Sequence, residues 1–120
     1  MSGGFSSIPT EQLRQMAVAA AAQSNLAGAE QALREVVRRA PRDAGALIDL
    51  ASVLKSRAER REALQLERRA VAAAPRDARA QQALADSLHA TGQFEAAARA
   101  YSVVQKLRPD DPHVLTGLAA

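Results

Sequence analysis

Apolar residues return along this chain at helical spacing, and the stripes come in pairs. Leu47, Leu50, Ala51 and Leu54 fall at i, i+3, i+4 and i+7, one face of an amphipathic helix. A polar break follows from Arg57 to Arg60, and a second stripe then runs through Ala63, Leu64, Leu66, Ala70 and Val71. The alternation recurs on both sides of this stretch. It predicts helices at about 10–23, 26–40, 44–57, 60–74, 78–91, 94–108 and 112–120. The expected fold class is all-α.

Prolines set the period. Pro41, Pro75 and Pro109 recur every 34 residues, and their neighbours recur with them. Arg39-Ala40-Pro41-Arg42-Asp43-Ala44 matches Ala73-Ala74-Pro75-Arg76-Asp77-Ala78, and Leu107-Arg108-Pro109-Asp110-Asp111-Pro112 is a looser third copy. A proline ends each second helix, because it lacks an amide hydrogen and pushes the preceding residue out of the α region. Asp43, Asp77 and Asp111 stand where a side chain can accept from the free amides of the next helix. In register, Ala17, Ala51 and Ala85 align in the first helices and Ala29, Ala63 and Ala97 in the second. Alanine at both places lets the two backbones cross closely, with Met16, Leu50 and Leu84 filling the flanks. These alanines are read as structural. The units are 10–43, 44–77 and 78–111, preceded by a disordered lead-in over 1–9. Residues 112–120 read as the first helix of a truncated fourth unit, with Val114, Leu115 and Leu118 on one face. Nine residues is below the roughly 12–15 an isolated helix needs. A longer natural chain, or a second chain covering that end, is therefore expected.

Composition agrees and narrows the chemistry. Alanine supplies 29 of 120 residues and aromatics 2%, which suits closely packed helices rather than sheet layers. No cysteine is present, so disulfides and thiolate metal sites are excluded, and a reducing, cytoplasmic setting is expected. The N-terminus shows no secretory signal pattern. The longest apolar run, Met16 to Ala22, is seven residues, far short of a membrane span. The pI is 10.2, but the formal net charge is only +3. Lys55, Arg57, Arg60, Arg61, Arg68 and Arg69 cluster, yet Glu59, Glu62 and Glu67 interrupt them and no aromatic is there to stack a base. Glu59 and Glu62 are placed to pair within the helix. The cluster reads as a solvated helix face, and neither nucleic acid nor membrane is expected as a partner.

The period, the paired alanines, the repeat-ending prolines and the segment Gly92-Gln93-Phe94-Glu95-Ala96-Ala97 resemble the tetratricopeptide repeat family over residues 10–120. The chain departs from that pattern at several places. Leu13, Leu47 and Gln81 stand where a tryptophan is usual, Ser24 and Ala58 replace the turn glycine, and Glu67 occupies an apolar position. These departures imply a divergent, looser first half. The resemblance implies a right-handed superhelical solenoid of antiparallel helix pairs. Its concave face would be lined by the first helix of each unit, which places Arg14, Gln15, Val18, Ile48, Asp49, Ser52, Lys55, Arg79, Gln82, Ala83, Asp86 and His89 in one groove. Any one of them reads more readily as ordinary helix surface; together they form the only concave surface such a fold offers.

No nucleophile–base constellation, P-loop or metal motif occurs, and His89 and His113 lie in different units. Asp49 and Asp86 could face each other from successive helices, an arrangement more often used for recognition than for acid–base chemistry in such a groove. No enzymatic activity, cofactor or metal is therefore expected. The expected function is a protein-interaction scaffold holding a peptide or helical segment of another polypeptide, with both signs of charge on the bound segment. Two alternatives stand beside it. One is the substrate-positioning region of a larger bacterial transferase or hydroxylase, which alanine- and arginine-rich repeats of this kind resemble. The other is self-association through the uncapped C-terminal end. A family subset binds acidic chaperone tails through a clamp of lysines and asparagines. The matching positions here hold Arg14, Val18, Asp49, Arg79 and Ala83, where both asparagines are missing and Asp49 would repel a carboxylate. Chaperone-tail binding is not expected.

Overall fold

The computed structural model describes residues 5–109, and the helix expected at 112–120 and the cap expected from Asp111 lie outside them. Six helices follow one another: α1 (Thr10–Ala22), α2 (Leu26–Arg39), α3 (Ala44–Ser56), α4 (Arg60–Ala73), α5 (Ala78–Ala90) and α6 (Phe94–Leu107). Each end lies within one residue of its expected place. No strand occurs among the described residues. Helices pack most heavily as pairs, α1 on α2, α3 on α4 and α5 on α6, and each pair docks on the next. The result is an all-α solenoid.

The crossing alanines are where the period places them. Ala29, Ala51, Ala63 and Ala85 are fully buried, and Ala17 and Ala97 nearly so. Leu50 is buried beside them, Leu84 is half-buried, and Met16 is 38% exposed. Asp43 and Asp77 cap α3 and α5, the latter accepting from both Arg79 N (3.0 Å) and Ala80 N (3.2 Å). Asn25, which the proline period does not mark, caps α2 through Gly28 N at 3.0 Å.

The turn inside each pair is the same in all three units, which corrects the expectation of a looser first half. Ser24, Ala58 and Gly92 all have positive φ, at 60°, 65° and 81°. In each turn the next residue's amide reaches back into the helix just ended: Asn25 N to Ala20 O (2.7 Å), Glu59 N to Leu54 O (2.8 Å), Gln93 N to Leu88 O (2.9 Å). This is the Schellman closure, which satisfies carbonyls left over at a helix end. Its hydrogen bonds and the core behind it hold Ser24 and Ala58 in a conformation glycine would adopt freely. The first two units also share one continuous core running from Leu13 to Ala80.

Residues 5–9 are not a disordered lead-in. Phe5 and Ile8 pack against the core, and Ile8 N bonds Phe5 O at 3.0 Å. Arg39, at the end of α2, donates to Phe5 O, Ile8 O and Thr10 Oγ1 while its Nε pairs with Glu35 at 2.9 Å. One guanidinium thus ties the start of the chain to the first pair, a link 34 residues long in sequence.

Candidate functional site

The first helices of the three units, α1, α3 and α5, line two adjoining clefts. The first, about 280 Å³, lies over α1 and α3. Its apolar surface comes from Ala17, Val18, Ala21, Leu33 and Val53, and Arg14, Asp49, Ser52 and Arg79 complete it. The second, about 260 Å³, lies over α3 and α5 and is polar, with Ser52, Lys55, Arg79, Gln82, Asp86 and Arg108 beside Ile48 and Ala83. Ser52 and Arg79 belong to both. Lys55 and Asp86 also line a smaller neighbouring cleft of about 220 Å³.

Ten of the twelve residues expected to line the groove are therefore brought to these clefts. Gln15 is one exception and His89 the other. Its ring stands edge-on to Phe94, with centroids 5.2 Å apart, and so turns towards the start of α6. Gln15 lines none of the three. Ile48, expected as exposed apolar surface, is only 5% exposed and belongs mainly to the core; Val18 is 69% exposed. The sequence reading missed the apolar floor of the first cleft. Ala21 and Leu33 occupy the register positions that hold Lys55 and Glu67 one unit later, so a comparison of units by polarity would have found it.

The charges in the groove are mostly matched within the chain. Arg14 pairs with Asp43, joining α1 to the cap of α3, and Arg79 of α5 pairs with Asp49 of α3 at 2.5 Å. Asp49 and Asp86 form no carboxylate pair. Asp86 accepts from Tyr101 Oη at 2.7 Å and from Gln82 Nε2 at 3.0 Å, both on Oδ1. Burial first, and then the bond to Asp86, push the Tyr101 hydroxyl well above its ordinary pKa, so it stays a neutral donor. Lys55 is not a free cation: its Nζ stands 2.8 Å from Glu67 Oε2, and Glu67 is fully buried. That approach lies outside hydrogen-bond geometry, so neither Glu67 oxygen has a hydrogen-bond partner among the described residues. Lys55 Nζ also reaches Ser87 Oγ at 3.5 Å.

On the opposite face, Glu62 does not pair within its helix as expected. Arg34 of α2 holds it in a two-pronged contact at 2.8 and 3.0 Å, which keeps its carboxyl below the usual range. Arg57 reaches Glu30 at 3.5 Å, so the basic cluster partly knits the units together. Among the described residues no group of His, Asp or Glu is placed to hold a metal. None of the described helices is long and apolar enough to cross a membrane.

Known structures share this architecture. The chain is similar to a mutant O-GlcNAc transferase from Thermobaculum terrenum, at 29% identity and a TM-score of 0.80 over 91% of the chain. It spans only 21% of that transferase. The TPR2B domain of yeast Sti1, in complex with pHsp70, matches at 19% identity and a TM-score of 0.83, covering 92% of this chain and 93% of that one. The Yersinia enterocolitica secretion chaperone SycD, in complex with a peptide of the translocator YopD, matches at 16% and 0.82, covering 91% and 88%. At those two identities the likeness is one of fold. No curated protein sequence matches the chain. The family model for the tetratricopeptide repeat matches residues 58–120, more than half of the chain. With its proline period, alanine crossings and stacked helix pairs, the chain belongs to the tetratricopeptide repeat family.

Proposed function

We propose that the groove over α1, α3 and α5 holds a segment of another polypeptide and that these residues carry out no chemistry themselves. The observation that carries this reading is the first cleft, with its apolar floor beside the exposed Val18 and its rim of paired charges. Concave, largely apolar surfaces with a few placed polar groups are where ligands bind. The groove residues are Arg14, Val18, Ile48, Asp49, Ser52, Lys55, Arg79, Gln82 and Asp86. Structural relatives that hold peptides, such as SycD with its YopD peptide, support a polypeptide as ligand.

The test is selection of random twelve-residue peptides displayed on phage against the 120-residue chain. Enriched peptides should bind the native chain, lose at least tenfold in affinity on Ser52→Arg, which fills both clefts, and be unchanged by Arg68→Glu. Arg68 is exposed on α4, outside the groove. No enrichment, or equal loss at the two sites, would overturn the groove reading. The likeness to the Thermobaculum terrenum transferase favours a second, compatible reading, in which such a groove positions a polypeptide substrate for an adjoining catalytic domain.

A further inference from the structure

The groove changes character from one unit to the next. At the register positions of Ala21 and Leu33, which give the first cleft its apolar floor, the second unit carries Lys55 and Glu67. Burying a carboxylate where a leucine fits carries a desolvation cost that an apolar residue avoids. What the substitution supplies is an ammonium fixed in place on the groove wall. Glu67 anchors Lys55 by charge without a directed hydrogen bond, and Lys55 lines both the second cleft and its smaller neighbour. Facing the same two clefts is Asp86, whose Oδ1 is engaged by Tyr101 and Gln82 and whose Oδ2 has no hydrogen-bond partner among the described residues.

A fixed donor and a fixed acceptor on one cleft match a group with a carbonyl oxygen and an N–H₂ side by side. We infer that Lys55 and Asp86 read the side-chain amide of an asparagine or glutamine on the docked segment, with Glu67 as the positioning residue. This deepens the groove reading and rests on it. Electrostatic balance favours an amide over a charged group. Lys55 is already matched by Glu67, Arg79 by Asp49 and Arg14 by Asp43, and the one further acid of the second cleft, Asp86, shares it with one further base, Arg108, so the clefts carry no excess of either sign to attract a counter-charge. A carboxylate there would meet Asp86, and an ammonium would meet Lys55. The expectation that the ligand carries both signs of charge gives way to a neutral polar side chain.

The first cleft then fixes register. Its apolar floor takes an aliphatic side chain, and the clefts shared by Lys55 and Asp86 lie one helix further along the solenoid. Neighbouring helix axes stand roughly 8–10 Å apart, and an extended chain advances roughly 3.3 Å per residue. The aliphatic residue and the amide are therefore about three positions apart in the ligand, in whichever direction it runs.

The same phage selection separates this inference from the groove reading beneath it. Sequences enriched on the native chain should share an aliphatic residue and, about three positions away, asparagine or glutamine. Synthetic versions with that amide changed to glutamate or lysine should bind at least tenfold more weakly. The decisive variant is the double substitution Lys55→Met with Glu67→Leu, which removes donor and anchor together and leaves no unpaired buried charge. Its helical circular dichroism should match the native chain, and it should keep the aliphatic preference while the amide loses its advantage over lysine, and glutamate, still facing Asp86, binds weakest. Enrichment of acidic or basic residues at that position, or an amide preference that survives the double variant, would overturn the inference and leave the groove reading standing. No enrichment at all would overturn both.

Discussion

Ala58 sits with φ at 65° in a turn whose counterpart in the third unit is Gly92. An L-residue in the left-handed region costs about 1–2 kcal/mol, and glycine avoids that cost while losing some chain entropy on folding. Ala58→Gly should therefore raise stability by about 0.5–1 kcal/mol, read as a higher urea midpoint with an unchanged slope. Ala51 shows the opposite limit. It is fully buried at the crossing of α3 and α4, so Ala51→Leu should cost about 1–3 kcal/mol by overpacking. The pair Lys55–Glu67 gives the sharpest contrast at this scale. Lys55→Met alone leaves the buried Glu67 uncompensated and should cost about 3–5 kcal/mol. The double change with Glu67→Leu should be neutral or stabilising, and a chemical denaturation series of the three proteins checks it.

Among the elements, α5 depends most plainly on its cap, since Asp77 Oδ1 accepts from two amides, Arg79 N and Ala80 N. Asp77→Ala should cost about 1 kcal/mol, with amide hydrogen exchange rising first in the opening turn of α5. The helices themselves were legible because three independent signals coincide at each boundary between units: apolar spacing, a proline stop and an aspartate cap. The N-terminal turn was not legible. Its order comes from Arg39 reaching back to carbonyls of Phe5 and Ile8, and a contact made to backbone leaves no mark in residue type. The groove was legible as a set of positions, since helix register fixes which residues share a face. Its charge state was not, because Arg14, Lys55 and Arg79 each find their acid on another element. Glu67 stands out in the sequence as a misfit, and its partner emerges only once α3 and α4 are packed.

At the scale of the whole molecule, acid should loosen the stack through its outer ion pairs. Hydrogen bonds from Arg38, and then Arg39, hold the Glu35 carboxyl down at about 2. The bond from Arg34 lowers Glu62 as well. Both folded values lie beneath the 4.5 of an unperturbed glutamate. Glu35's contribution is therefore complete above that pH and is lost as pH falls from about 4.5 towards 2, and that of Glu62 is lost in the same direction. A urea midpoint measured across that interval should drop, and the combined change Glu35→Gln with Glu62→Gln should flatten the drop. The core is also divided. One cluster runs through the first two units into the start of α5, and a smaller one joins Ala85, Leu88, Ala97, Ala100 and Tyr101. Such stacks are held unit to neighbour, so loss of order can begin at one end without dissolving the other.

The buried pair in the second unit has a consequence that appears only on heating. The hydration of charged groups becomes less favourable as temperature rises, so taking Lys55 and Glu67 out of water costs progressively less in hot solution. A burden near room temperature thus lightens as the molecule approaches its melting point. The gap between the native chain and the double variant, Lys55→Met with Glu67→Leu, should be widest in the cold and should narrow on warming. The same two side chains that shape a recognition surface would then also flatten the thermal profile of the domain that carries it.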